Sequence, residues 1–322
     1  MGIAWLFPGQ GSQVVGMAKD VLAASAAARE IFRRADDVLG ELSHPHSQSS
    51  RGPLLSRLVL EGPEDELTLT ANAQPAIVAT SCAILAAIKE AVPTLAPPTF
   101  AAGHSLGEYS ALVAAGALTL EDALRLVRAR GRAMQEAVPQ GLGAMAAVMG
   151  LDPAQVEELC AQAAQGEVVS PANFNAPGQI VVAGHAGAVA RVSELVSAAK
   201  GRAIPLKVSA PFHSALMAPA ARVVEQELAK ITISPLAFPV VANFDAKPNR
   251  DAARVKELLV RQVDGPVRWD ASVLHMQANG VTHALEIGPG KVLAGLVKRI
   301  AKEIKVLSVF DAAALGQVAS FV

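Results

Sequence analysis

The stretch Phe100–Leu118, FAAGHSLGEYSALVAAGAL, constrains the fold more than any other part of the chain. Strand-like text enters a Gly-His-Ser-Leu-Gly turn and leaves it directly as helix. A side chain held on so sharp a bend needs neighbours without Cβ atoms, and Gly103 and Gly107 supply them on either side of Ser105. The bend also aims the amide of Leu106 at the same place, at a helix N-terminus where negative charge is stabilised. Ser105 is therefore a candidate nucleophile, and its plainer role would be an N-cap on the helix that follows. The strand-then-helix context is the one this motif requires, and it favours the nucleophile.

The rest of the chain repeats that order. "IAWLF" predicts a buried first strand before a Pro-Gly-Gln-Gly turn, and helical text fills roughly residues 20–40, 74–92 and 119–138. Long helices between short apolar strands indicate the α/β class, with a parallel sheet covered on both faces. From Gly143 to Ser209 the order changes to β-α-β-β-α-β, closing with "AIPLKVS" as a strand. That is the split pattern of a ferredoxin-like unit. Sheet-like text resumes with "FPVVANF" and "HALEIGPG". The expectation is a large α/β catalytic domain, residues 1–140 and 210–322, interrupted by a small ferredoxin-like domain, residues 141–209.

With 52% apolar and 18% charged residues in 322, a large core is available and wholesale disorder is excluded. Lys+Arg 28 against Asp+Glu 29 leaves a net charge of −1, which exerts no global pull on nucleic acid or an anionic membrane. Cys82 and Cys160 sit in alanine-rich helical text, predicting buried thiols in a reducing compartment. "MGIAWLFPGQGSQ" lacks the basic start of a signal peptide, and the longest apolar run, "AIVATSCAILAAI", stops at Lys89, short of a bilayer's width. A cytoplasmic protein with no membrane segment is expected. "SHPHSQSSRGP", Ser43 to Pro53, predicts a polar surface loop, in which His44 and His46 alone do not make a metal site. Two glycine-rich stretches fail as phosphate loops, because Val14 and Val292 stand where a third glycine and a Ser or Thr are required.

A serine nucleophile needs a base. His104 is adjacent in sequence and points apart, while His185, His275 and His283 lie in strand or helix text. His213 sits in "SAPFHSALM", on a Pro-bounded loop between a strand and a long helix, at a sheet edge where open α/β sheets bind ligands. It is the candidate base. The helix after Thr119, an N-cap with Asp122 three places on, carries a second signal. Glu121, Asp122, Arg125, Arg128, Arg132 and Glu136 share one arc, with Glu121–Arg125 and Arg132–Glu136 expected as ion pairs. Leu120, Ala123, Leu124, Leu126, Val127 and Met134 form the opposite face, and Arg130 falls inside it. A guanidinium cannot shed its proton, so burial demands an anion. An internal carboxylate and a substrate carboxylate both satisfy that demand.

Six segments together, "FPGQGSQ", "GHSLGEYSA", Arg130 in "RARGRAMQEA", "NFNAPGQIVVAG", "PFHSALM" and "EIGPGKVLAGL", resemble in the same order the malonyl-CoA:acyl-carrier-protein transacylase family. The resemblance spans nearly the whole chain. It implies an α/β-hydrolase-like large domain with an inserted ferredoxin-like one. It implies that Ser105 takes malonyl from coenzyme A, that His213 serves as base and then acid, and that Arg130 grips the free malonyl carboxylate. Backbone amides of Leu106 and Gln10 would form the oxyanion hole. Gln262 would orient His213 through its backbone carbonyl, in place of a triad carboxylate, and Asn173 would line the cleft. Phe212 and Leu106 accompany a preference for malonyl over methylmalonyl.

The family uses the coenzyme A thioester as substrate, with no bound cofactor or metal, and delivers malonyl to the phosphopantetheine thiol of holo acyl carrier protein for fatty acid synthesis. A monomer is expected, with Lys200 and Arg202 as candidate contacts for an acidic carrier. The segment Ser43–Pro53 looks longer than the family carries. A trans-acting acyltransferase of a polyketide synthase, and a serine thioesterase or esterase that discharges to water, share the elbow and stay open as alternatives.

Overall fold

In the larger of two sheets, β1 (Gly2–Phe7) runs parallel between β2 (Phe100–Gly103) and β10 (Val281–Ile287). The sheet continues through β11 (Lys305–Val309) on one side and through β7 (Val240–Val241) on the other, both parallel. An antiparallel β8 (Pro248–Asn249) closes that second edge. The computed structural model describes residues 2–40, 53–208 and 210–322. The expectation for Ser43–Pro53, including His44 and His46, lies outside the described residues except at Pro53.

Alternation along β1 explains the layers. Trp5 and Phe7 point into one apolar cluster, with the helices Ala26–Leu39, Thr70–Ala91 and Leu120–Glu136. Ala4 and Leu6 point into another, under Trp269, Val273 and Leu293. A strand buried on both faces is the mark of a parallel sheet. The helix Thr70–Ala91 begins one turn earlier than the sequence suggested, so its 22 residues are long and apolar enough to cross a membrane. Its apolar character serves the core instead, since 89% of that apolar window is buried within the protein.

The second sheet has β6 (Arg202–Pro205), β3 (Gly143–Met149), β5 (Gln179–His185) and β4 (Val169–Ala176) in that order, each neighbour antiparallel. The helices Pro153–Ala164 and Ala186–Ala198 cover one face, the first started by a capping box between Asp152 and Gln155. A fifth strand, β9 (Val267–Arg268), reaches β4 from far along the chain and pairs in parallel. Strand β6 ends at Pro205, so "LKV" is not strand as expected: it leaves the sheet and lines a cleft.

Two further expectations change. Glu121 pairs with Arg34 of the neighbouring helix at 2.7 Å, and Arg125 turns to Asp122 at 3.8 Å. Arg132–Glu136 is not an ion pair among the described residues. The "EIGPGK" turn is structural: Glu286 Oε1 accepts from Leu293 N at 2.8 Å, and Oε2 accepts from Ala294 N at 3.0 Å and Ser308 Oγ at 2.6 Å. A buried carboxylate thus caps the helix Val292–Ile300 from the preceding strand.

Candidate active site

The loops that follow β1 and β2 open onto a cavity of about 950 Å³, which β3 and β4 of the second sheet help to wall. Ser105 stands on its floor, in the left-handed region at φ 49°. Only close packing permits the bend: a Cβ at Gly103 would lie 1.9 Å from Gly107 C, and one at Gly107 would lie 2.0 Å from Phe7 O. Ser105 is not a side-chain cap of the helix Gly107–Ala114, which removes its plainer role.

His213 faces it. Ser105 Oγ and His213 Nε2 are 2.7 Å apart, and His213 Nδ1 lies 2.8 Å from the backbone oxygen of Gln262. A carbonyl only accepts, so Nδ1 carries the proton and Nε2 is left to accept from the serine. Burial, followed by the nearby Arg130 charge, pushes this imidazole down to about 3, so it is neutral and keeps the lone pair on Nε2 free to accept a proton. His213 also has a left-handed backbone, φ 59°. His104 plays no such part: its Nε2 meets Asn175 Oδ1 at 2.7 Å, joining the elbow to β4.

Arg130 is 1% exposed. Its Nη1 donates to Gln74 Oε1 at 2.9 Å, and its Nη2 donates to Gln262 Oε1 at 3.0 Å and to Ser105 Oγ at 3.2 Å. The Tyr109 ring lies 5.4 Å from the guanidinium carbon. Among the described residues no carboxylate pairs with it, and its Nε has no hydrogen-bond partner. The internal salt bridge that sequence left open is absent from these residues. What remains is a cation with spare donors, beside a hydroxyl, on the cavity wall.

The other expected residues gather here too. Gln10, Leu106, Asn173 and Phe212 line the cavity. Gln262 does not line it: fully buried, it sits behind His213 and Arg130 and touches both. Ser105's own amide is taken by Asn243 Oδ1 at 2.6 Å, so an oxyanion formed at the serine must be met by other donors. Among the described residues no group of three His, Cys, Asp or Glu side chains could hold a metal ion.

Sequence reasoning missed Gln74, Glu108 and Asn243. Glu108 had a signal, a carboxylate on a helix otherwise made of small and apolar residues. Gln74 and Asn243 had none, since their partners lie 56 and 138 residues away.

A family model for the acyl transferase domain matches residues 4–319. A malonyl CoA-acyl carrier protein transacylase of Salmonella typhimurium is 46% identical over 314 residues, which cover 97% of each chain. The chain belongs to the malonyl CoA-acyl carrier protein transacylase family. It is an acyltransferase. The solved acyl carrier protein S-malonyltransferase of Vibrio cholerae is similar at a TM-score of 0.92 and 44% identity, over 99% of this chain and 100% of that one. A malonyl-transacylase solved in complex with its type II polyketide synthase acyl-carrier protein matches at 0.93 and 44%, over 99% of each chain.

Proposed function

We propose that this enzyme moves malonyl from coenzyme A to the phosphopantetheine thiol of acyl carrier protein, through an ester on Ser105, to supply fatty acid synthesis. The observation that carries the reading is Arg130: a buried cation 3.2 Å from the serine hydroxyl, with no internal carboxylate in contact among the described residues. His213 Nε2 takes the Ser105 proton as Oγ attacks the thioester carbonyl. The Leu106 and Gln10 amides receive the oxyanion, in the role that Ser105's occupied amide leaves open. Coenzyme A leaves as the thiol with the proton from His213. The carrier thiol then gives its proton to His213 and attacks the ester, and the proton returns to Ser105.

Arg130 holds the free malonyl carboxylate, Gln262 fixes His213 through its carbonyl, and Asn173 and Phe212 shape the cleft around the acyl group. Residues 141–209 form a ferredoxin-like unit set into a hydrolase-like one, residues 1–140 and 210–322, a reading supported by the antiparallel order β6-β3-β5-β4. The protein works as a cytoplasmic monomer without a bound cofactor. Lys200 and Arg202 are exposed, and together with Lys207 at the cavity wall they offer positive charge to an acidic carrier.

A second reading has one observation in its favour. The neighbour held with a type II polyketide synthase carrier shares this fold closely, so a polyketide carrier is the alternative acceptor. Mass spectrometry separates the readings. Malonyl-CoA should leave a malonyl group on the peptide containing Ser105, and holo fatty-acid carrier should remove it faster than buffer or a polyketide carrier does. Discharge to water at the same rate with and without carrier would make the enzyme a thioesterase.

A further inference from the structure

Glu108 has no part in the reaction proposed above. It is 2% exposed in the first turn of the helix Gly107–Ala114, where a carboxylate is costly unless it is hydrogen-bonded. One of its oxygens, Oε2, accepts twice: from the Asn243 amide N–H at 3.0 Å and from Gln262 Nε2 at 2.9 Å.

Each donor belongs to a residue that grips the elbow. Asn243 Oδ1 accepts from Ser105 N at 2.6 Å, and its Nδ2 donates to Gly103 O at 2.7 Å. Gln262 Nε2 donates to Ser105 O at 2.9 Å, its Oε1 accepts from Arg130, and its backbone oxygen accepts from His213. A carboxamide fits its site either way round until a neighbour decides. Three neighbours decide here, and Glu108 is the one from a side chain outside the reaction: its Oε2, with Ser105 O, draws the NH₂ of Gln262 and leaves Oε1 to the guanidinium. Reversed, NH₂ would face Arg130, donor against donor.

Burial pushes the Glu108 carboxyl up to about 7, against the pull of Gln262 and Asn243. Because both donors share Oε2, a proton bound at Oε1 leaves both bonds in place. The acceptor atom, not the charge, is what the surroundings use.

We propose that Glu108 is a positioning residue, whose Oε2 orients Asn243 and Gln262 so that they hold the Ser105 backbone, His213 and Arg130 in register. The proposal rests on Ser105 being the nucleophile.

The test is the rate at which phenylmethylsulfonyl fluoride labels Ser105, which needs neither malonyl-CoA nor carrier. A wild-type enzyme that does not label would overturn the Ser105 reading itself and is seen before any variant is made. Glu108→Gln keeps an acceptor oxygen, Glu108→Met removes it at similar length, and Glu108→Asp keeps the charge but withdraws it by a methylene. The Gln variant should label within about twofold of wild type, and the Met and Asp variants about ten- to a hundredfold more slowly. Circular dichroism melting checks that each variant folds. If the Met variant does not fold, the order of the other two carries the test alone. An Asp variant as fast as the Gln variant, or wild-type rates in all three, would overturn the proposal.

Discussion

On the proposed mechanism, substrate choice turns on Arg130. Its guanidinium cannot lose its charge, and its contacts, Gln74, Gln262 and Ser105, are neutral. A carboxylate arriving beside it gains charge-assisted hydrogen bonds, each contributing about 1.5–3 kcal/mol. Two such bonds amount to roughly 10²- to 10⁴-fold in favour of an acidic acyl group. Arg130→Ala should therefore slow acylation by malonyl-CoA by that factor while acetyl-CoA keeps its rate or gains. Single-turnover acylation with both esters measures it, and an equal loss with both would discredit the clamp. Ser105, His213 and Arg130 were legible because each pairs a reactive or charged residue type with an improbable local context. Gln74 and Asn243 were not, because an amide on a helix or strand becomes informative only once folding brings it a partner.

Among the elements, the helix Leu120–Glu136 was the most legible, since its Thr119 cap and 3.6-residue period fix both its start and its buried face. Periodicity says nothing of how closely helices pack. Gly131 lies against the helix Thr70–Ala91, and a Cβ there would sit 2.5 Å from Thr70 O and 2.9 Å from Ala71 Cα. Alanine would add about 1 kcal/mol of helix propensity at this position. Overpacking against backbone atoms, which have no rotamer to escape into, costs about 1–3 kcal/mol and wins. Gly131→Ala should lower the melting temperature and raise the KM for malonyl-CoA, because the Arg130–Gln74 bond crosses the same helix pair. Unchanged values of both would mean the helices separate freely. The length of β6 was misread for a comparable reason: "AIPLKVS" has strand composition, but pairing depends on what lies beside it, and β3 accompanies it only to Pro205.

For the molecule as a whole, the site makes stability depend on pH in two opposed ways. His213 is pushed down to about 3 from an ordinary 6.5, so the unfolded chain binds the extra proton between those values. Its contribution is complete above 6.5 and is lost as pH falls through 3. Glu108 is pushed up to about 7 from 4.5, so its contribution is complete below 4.5 and is lost as pH rises through 7. Urea unfolding at a series of pH values should show the two trends offsetting each other between 4.5 and 6.5. Glu108→Gln removes the carboxyl's share of this balance, and stability should climb more steeply across that window than in the wild type; an unaltered profile would contradict the assignment. The two sheets meet in a way no local pattern announced. Strand β9 and the His104–Asn175 bond each fasten the second sheet to the frame that carries the serine. Jaws riveted together at two points do not gape, so the space above the hydroxyl keeps its shape whether or not a guest is in it. Whatever reaches the hydroxyl has to fit that space as it stands, and a thioester at the tip of a slender pantetheine arm does so without prying anything apart.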